Sequence, residues 1–233
     1  MRARALSVPV FLACLTSASN GALVPLHVTG AMAGNADIAD HPSGATDSES
    51  FDAPLRVDDL SASTTQRTRT ASVDGQTAQA WSQCDSGTTT TGGLRASVMS
   101  LASQTGETRA GCDRSAQAST SQATEFRVTG RAQAYRFRGA ISGANEPGVA
   151  GDRQKRAARV RLVSDSGVVH EFAPAEGATS ATFEVAGTLE PGTYRVEVTT
   201  HARAESGKTR STDPMIASVH WTLEPSSSLA SRK

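Results

Sequence analysis

Apolar and polar residues alternate with a period of two along much of the chain, most clearly over Ala181–Thr200. Large apolar side chains there occupy every second position of two segments: Phe183 and Val185, then Tyr194, Val196 and Val198. This period predicts strands with one buried face and one solvated face. No helical period of useful length appears, and successive strands lack the spacing of βαβ units. We therefore predict an all-β fold, an antiparallel two-sheet sandwich of the jelly-roll or Greek-key type.

Turn-forming residues separate the predicted strands. Between the two segments above, Pro191 presets a turn dihedral and Gly192 tolerates a positive φ. The sequence Asp165-Ser166-Gly167 predicts a hairpin turn. Near Gly130 the phase of the apolar positions slips, which predicts a bulge or a strand that changes sheets. The weakly alternating polar segment Thr64–Val73 is typical of an edge strand.

Large core-forming side chains are scarce. Leu, Ile, Val and Phe make up 39 of the 233 residues, against 37 alanines. A low share of these residues together with a high net charge would indicate disorder, but here the formal net charge is zero. Because alanine and glycine fill only a shallow interior, the composition favours a thin sandwich over a helical bundle.

The N-terminal segment 1–20 has the three-part pattern of a secretory signal peptide. Two arginines precede an apolar run from Ala5 to Leu15, and small residues follow it. The run is too short to span a bilayer, so we predict a secreted or periplasmic protein without a membrane span. The short apolar run and Phe11, three residues before Cys14, argue against lipid anchoring at Cys14.

The rest of the chain divides into three parts by composition. Residues 21–54 include a long stretch that is rich in Gly, Ser, Asp and Ala and has no periodicity, which predicts a disordered spacer. Residues 55–225 carry the strand pattern and are predicted to form one β-sandwich domain. Residues 226–233 are predicted to form a polar tail.

The zero net charge hides an uneven distribution. The segment Gly34–Leu60 holds seven acids and one base, whereas Arg127–Arg161 holds nine bases and two acids. Three explanations are open: the charges lie on solvated strand faces, the acidic segment docks on the basic one, or the basic segment forms a face that binds an anionic polymer. Export and the zero net charge argue against nucleic acid as a partner.

Removal of the signal would leave Cys84 and Cys112. An even number of cysteines in an exported chain predicts one disulfide. In a simple meander their two strands would lie about 9–10 Å apart, beyond the limit of about 7 Å between the Cα atoms of a disulfide. Either the bond does not form, or the two strands are neighbours or face each other across the sandwich. We favour strands that face each other and a Cys84–Cys112 disulfide.

One turn region resembles the tyrosine corner of fibronectin type III and other Greek-key sandwiches: Leu189-x-Pro191-Gly192-x-Tyr194, followed by Val196 and Val198. In that motif the Tyr hydroxyl bonds to nearby backbone. The GTLxPGTYxVxV pattern is also similar to the ending of pre-peptidase C-terminal domains. Residues 55–225 as a whole resemble uncharacterised Ala/Ser/Thr-rich secreted jelly-roll proteins of bacteria. These resemblances imply a bacterial β-sandwich with an accessory or surface role, and no catalytic residue is carried over.

Side chains suited to catalysis or metal binding are dispersed. No two of the five histidines have the short spacing that places two imidazoles on one metal ion: His27, His41, His170, His201 and His220. The sequence motifs of serine hydrolases and zinc proteases are absent. We therefore predict no enzymatic activity, no cofactor and no metal site.

Two features are candidates for binding. Trp81 shares a strand face with Gln79 and Gln83, and an exposed aromatic ring flanked by amides is suited to a sugar ring; the alternative is a Trp81 side chain in the core. The second feature is two pairs of arginines at i, i+2 spacing, which would form an anion-binding patch if their strands were neighbours. Solubility and protection of strand edges explain the same arginines. The pairs are Arg136 with Arg138 and Arg159 with Arg161.

Regular strands without a convergent polar cluster favour an exported, non-catalytic structural or interaction module whose partner the sequence does not identify. The alternative is a carbohydrate-binding module that uses Trp81 or the arginine-bearing strand faces. A secreted hydrolase is the third possibility. The partners expected are an extracellular glycan or a cell-surface protein.

Overall fold

The computed structural model describes residues 21–58, 62–106, 111–143, 154–176, 178–205 and 214–226. Within these ranges the strands are β1 Ala22–Asp40, β2 Ala45–Val57, β3 Ala62–Val73, β4 Gln76–Thr88, β5 Leu94–Thr105, β6 Cys112–Thr129, β7 Gln133–Ser142, β8 Gln154–Ser164, β9 Gly167–Phe172, β10 Ser180–Leu189, β11 Gly192–Glu205 and β12 Met215–Pro225. They form two antiparallel sheets of six strands. Sheet I has the order β2-β1-β6-β11-β8-β9, and sheet II has the order β10-β7-β12-β5-β4-β3. The predicted all-β, two-sheet sandwich is confirmed.

The last eight strands have the connectivity of a jelly roll. In sheet II the strands β5, β12, β7 and β10 are consecutive, and β6, β11, β8 and β9 are consecutive in sheet I. The chain therefore passes from one sheet to the other at every connection except the β8–β9 hairpin. The hairpin β1–β2 extends sheet I beyond β6, and the hairpin β3–β4 extends sheet II beyond β5.

The phase slip near Gly130 marks a change of sheet, one of the two alternatives that the sequence predicts. Strand β6 ends at Thr129 in sheet I, β7 begins at Gln133 in sheet II, and Gly130 between them has a φ of 77°. The predicted Asp165-Ser166-Gly167 hairpin joins β8 to β9. The polar strand β3 lies at the edge of sheet II, where the sequence predicts it.

The corner between β10 and β11 also joins the two sheets. The Tyr194 hydroxyl donates a hydrogen bond of 2.9 Å to the carbonyl oxygen of Glu190, which holds the turn against the start of β11. The positive φ allowed for Gly192 is not used, because Gly192 is already the first extended residue of β11.

The prediction that residues 21–54 form a disordered spacer is wrong. They form β1 and most of β2, and β1 pairs with β6 from Ala22↔Thr129 to Asp40↔Cys112. The sandwich therefore begins at Ala22 rather than at residue 55. Five of the seven acids in the segment Gly34–Leu60 lie within these two strands, so this part of the chain is not a free acidic tail. The predicted signal peptide and residues 227–233 of the predicted tail lie outside the described residues.

The interior has a large-residue half and an alanine-rich half. Aromatic and branched side chains, including Phe126, Phe137 and Trp221, fill the first half. Alanines from β1, β3, β4, β5, β6 and β11 fill most of the second half. Hydroxyl groups lie between them: Ser100 bonds to the hydroxyls of Thr120 at 3.1 Å and Thr200 at 2.8 Å. The scarcity of large residues thus produces an uneven core, with small side chains filling most of one half.

Three glycines are each paired across the sheet with an aromatic residue. Gly34 is opposite Phe51, Gly139 is opposite Phe183, and Gly187 is opposite Tyr135. A Cβ atom at Gly139 would lie 2.6 Å from the Phe183 ring and 2.3 Å from the carbonyl oxygen of His220. The missing side chain therefore lets the ring lie over the partner strand, an arrangement that offsets the low β-propensity of glycine.

The predicted Cys84–Cys112 disulfide is wrong. The two strands do face each other across the sandwich, since β4 lies in sheet II and β6 in sheet I, but no disulfide joins the cysteines. Ser82, two residues before Cys84, donates a hydrogen bond to the carbonyl oxygen of Ser119. Cys112 lies seven residues before Ser119, about 23 Å away along an extended strand. The offset along the strands, rather than the distance between sheets, prevents the bond.

Burial raises the pKa of the Cys84 thiol to about 12, and the nearby Asp85 carboxylate adds to this shift. Because the thiolate is the reactive form, we expect Cys84 of the folded protein to resist iodoacetamide at about pH 8. After denaturation without reductant, both Cys84 and Cys112 should be alkylated, as measured by peptide mass mapping. Protection of either cysteine in the denatured, unreduced protein would contradict the absence of the disulfide.

Candidate functional site

The outer face of sheet II carries a groove with a volume of about 1080 Å³. All six strands of the sheet contribute to its lining. The strands are antiparallel, so residues directly opposite one another in the register share a face, and outer-face residues form rows across the sheet. The groove is therefore a surface assembled from parts of the chain that are distant in sequence.

Two rows of paired residues form the floor of the groove. One row runs from β3 to β10 through hydroxyl, carboxylate and imidazole groups: Thr64, Asp85, Ser97, His220, Ala140 and Thr182. The next row begins on β5 and is charged: Arg95, Thr222, Arg138 and Glu184. Adjacent strands lie about 4.8 Å apart, so a row across six strands is about 24 Å long. Such a row offers hydrogen-bonding groups to an extended polar ligand.

Trp81 lies on the outer face of β4, which decides between the outward and core positions that the sequence left open. It is half-buried, and Gln79 and Gln83 flank it on the same face. The register places Leu101 opposite Trp81, and Ile216 opposite Leu101. We call Trp81, Leu101 and Ile216 the apolar patch. Gln83, which lines the groove, is the next outer-face residue after Trp81 on β4, so the patch borders the groove directly.

Asp85 accepts a hydrogen bond of 2.6 Å at Oδ2 from the Gln83 amide. Its other carboxylate oxygen, Oδ1, is buried and has no hydrogen-bond partner. Burying a carboxylate oxygen without a donor costs free energy. A ligand hydroxyl or a water molecule that reached Oδ1 would therefore be stabilised.

The two predicted arginine pairs do not form a common patch. Arg136 and Arg138 lie on β7 in sheet II, whereas Arg159 and Arg161 lie on β8 in sheet I, so the pairs are on opposite outer faces. Each of the four guanidinium groups also has an acidic partner. These ion pairs are Arg136–Glu184 at 2.8 Å, Arg138–Glu224 at 3.4 Å, and Arg159 and Arg161 with Glu171, both at 3.2 Å.

The Glu171 carboxyl group shows the effect of this pairing. Partial desolvation raises its pKa, but hydrogen bonds from Arg161 and Arg159 outweigh that effect, and the pKa is lowered overall. The arginine pair of sheet I is thus neutralised in part within the fold. Of the four arginines predicted as binding residues, only Arg138 lines the groove.

His170 lies at the rim of the sandwich. Its Nε2 atom is 2.7 Å from the Tyr135 hydroxyl, and its ring stacks on Phe172. These contacts account for the residue structurally and do not place it in the groove.

Sequence reasoning missed the central residues of the groove. Asp85, Ser97, Arg95 and His220 come from three strands, and only the register brings them together. A sequence signal existed for each strand separately, because all four occupy the polar phase of an alternating segment. Nothing in the sequence shows that β12 inserts between β5 and β7.

Among the described residues, no group of three or more His, Cys, Asp or Glu side chains is placed to hold a metal ion. The same part of the chain contains no helix that is long and apolar enough to cross a membrane. No protein-family model matches the chain, and a search of curated proteins finds no relative. The function of this protein is therefore inferred from the groove.

Proposed function

We propose that this protein is an exported, non-catalytic carbohydrate-binding module that holds an oligosaccharide in the groove of sheet II. The observation that carries the proposal is a groove across all six strands with the apolar patch at its border. A sugar ring has an apolar face of C–H groups and an edge of hydroxyl groups. The indole of Trp81 can pack against the C–H face of the sugar. The amide of Gln83 and the carboxylate of Asp85 can form hydrogen bonds with its hydroxyl groups.

A structural or interaction module without a glycan ligand is the competing function. It agrees with the regular strands and with the paired charges on the outer faces, since ion pairs such as Arg136–Glu184 keep a sheet face soluble. A module without a glycan ligand gives no reason for an aromatic ring at the border of the groove. The two functions differ in one measurable property, binding to sugars that depends on Trp81.

The arrangement of acids in the groove supports a non-catalytic function. Glycoside hydrolysis uses two carboxyl groups about 5–9.5 Å apart. The acids that line the groove, Asp85 and Glu184, lie on β4 and β10, which are separated by three strands. Four interstrand spacings amount to about 19 Å. This distance is too large for a single glycosidic bond to lie between the two groups.

Ser97 and His220 are directly opposite each other. A serine next to a histidine is also found in the active site of serine hydrolases. In a Ser-His-Asp triad the acid orients the imidazole from the side away from the serine. Here Asp85 is opposite Ser97 on the other neighbouring strand, so Ser97 lies between the acid and His220. The order of the three groups is therefore unsuited to nucleophile activation.

The test is a glycan array probed with the intact chain, followed by calorimetry on each glycan that binds. We expect Trp81→Ala to weaken binding by at least about tenfold, or about 1.4 kcal/mol, because the stacking surface is lost. Trp81→Phe, which keeps an aromatic face, should lose less. His170→Ala, at the rim outside the groove, is the control and should bind as the unmodified chain does. Absence of binding to every sugar, or equal binding by Trp81→Ala, would overturn the proposal.

A further inference from the structure

Arg95 differs from the other arginine of the groove. Its side chain is exposed on β5 and lines the groove, and it forms no hydrogen bond or ion pair with any described residue. Arg138, two strands away in the same row, donates hydrogen bonds to Thr222 and Glu224. The groove therefore contains one guanidinium group whose donors are all available to a ligand.

The position of Arg95 leaves it without an internal acid. Directly opposite it are Gly87 on β4 and Thr222 on β12, and neither carries a charge. The nearest acids on the two adjoining strands, Asp85 and Glu224, each lie two positions from the residue opposite Arg95. Asp85 interacts with Gln83 and Glu224 with Arg138 instead. Elsewhere on this face acids lie beside the arginines, as Glu184 lies beside Arg136 at 2.8 Å.

We propose that the groove selects acidic oligosaccharides, with Arg95 binding a carboxylate or sulfate group of the sugar. The proposal rests on the function proposed above and adds the class of glycan. A guanidinium group presents parallel N–H donors that match the two oxygens of a carboxylate, and charge-assisted bonds of this kind are about twice as strong as neutral ones. A ligand anion would supply the partner that the fold does not.

The separation of Arg95 from the apolar patch sets the size of the ligand. Trp81 lies six residues before Gly87, the residue opposite Arg95, so the two contact points are about 20 Å apart along the strands. One sugar ring cannot reach both of them. The ligand is therefore an oligosaccharide that places an apolar sugar face on Trp81 and an anionic group at Arg95.

The test is calorimetry of the intact chain with three probes: oligogalacturonate, which carries carboxylates; chondroitin sulfate oligosaccharides, which also carry sulfates; and neutral cello-oligosaccharides. We expect tighter binding to at least one acidic probe than to the neutral one, and weaker binding as salt rises. Arg95→Ala should lower acidic-probe affinity by about tenfold or more. Arg95→Lys, which keeps the charge but loses the paired donors, should recover part of that affinity.

The matched control is Arg127→Ala. Arg127 is also exposed and also lacks an ion pair among the described residues, but it lies on β6 in sheet I. The Arg127→Ala variant should bind every probe as the unmodified chain does. Two results would overturn the acidic specificity and leave the proposed function standing. One is Trp81-dependent binding of neutral sugars that is at least as strong as the binding of acidic ones. The other is equal binding by Arg95→Ala and Arg127→Ala. Lack of binding to any probe or array sugar would overturn both.

Discussion

Replacement of Phe137 by alanine is expected to destabilise the fold by about 3–5 kcal/mol. Phe137 is fully buried on β7. Its ring meets those of Phe183 at 5.0 Å, Phe172 at 6.0 Å and Trp221 at 6.0 Å between centroids. Truncation removes apolar area from the interior and leaves a cavity among rigid rings that cannot close over it. Urea unfolding followed by fluorescence measures the loss.

Val168→Ala is the matched control for this substitution. Val168 lies on the edge strand β9 and is 54% exposed, so its truncation creates no cavity. Its effect should stay within about 0.5 kcal/mol. If Phe137→Ala cost no more than this control, the ring cluster would not form the stabilising half of the core, and the uneven interior described above would be incorrect.

Replacement of Gly139 by alanine is expected to destabilise the fold by about 3 kcal/mol, although it adds a single methyl group. The new Cβ atom would lie 2.3 Å from the carbonyl oxygen of His220 and 2.6 Å from the ring of Phe183. Neither can withdraw easily, because the oxygen belongs to the central strand β12 and the ring packs against Phe137. Thermal unfolding followed by circular dichroism measures the shift.

Gly192→Ala is the matched control, because Gly192 also lies in a strand of an antiparallel sheet. An added Cβ there would lie 3.7 Å from the Tyr194 ring, an ordinary contact, and the backbone does not require positive φ. The substitution should be neutral or stabilising by up to about 1 kcal/mol, since it restricts the unfolded chain. Equal tolerance of alanine at both positions would show that β7 and β12 are farther apart than described.

The two substitutions in the core and those in the groove address separate questions. Phe137 and Gly139 report on how β7 packs against β10 and β12, which form part of the groove floor. Trp81 and Arg95 lie on the outer face of sheet II, so their variants should remain folded, which circular dichroism of each variant checks. A loss of glycan binding in those variants can therefore be assigned to the surface.

The first two strands show where sequence reasoning failed. From Met32 to Ile38, the side chains of Met32, Ala36 and Ile38 on β1 point inward, but the remaining inward position is Gly34. Small residues occupy most of the outward positions of the same stretch. The alternation of large apolar and polar groups is therefore faint. What stabilises β1 is pairing with β6 and β2 on its two sides, and neither partner is visible from the composition of the segment.

The sequence by itself determined the class of fold and the polar edge strand, and it located the irregularity near Gly130. Each of these follows from side-chain periodicity or local backbone preference over a few residues. Only the tertiary structure decided which strands are neighbours and in what register. That register separates Cys84 from Cys112, divides the arginine pairs between two faces, and brings Arg95, Asp85 and His220 into one groove. The physical reason is that pairing between distant strands depends on the packing of the whole sandwich, whereas alternation is a property of each strand alone.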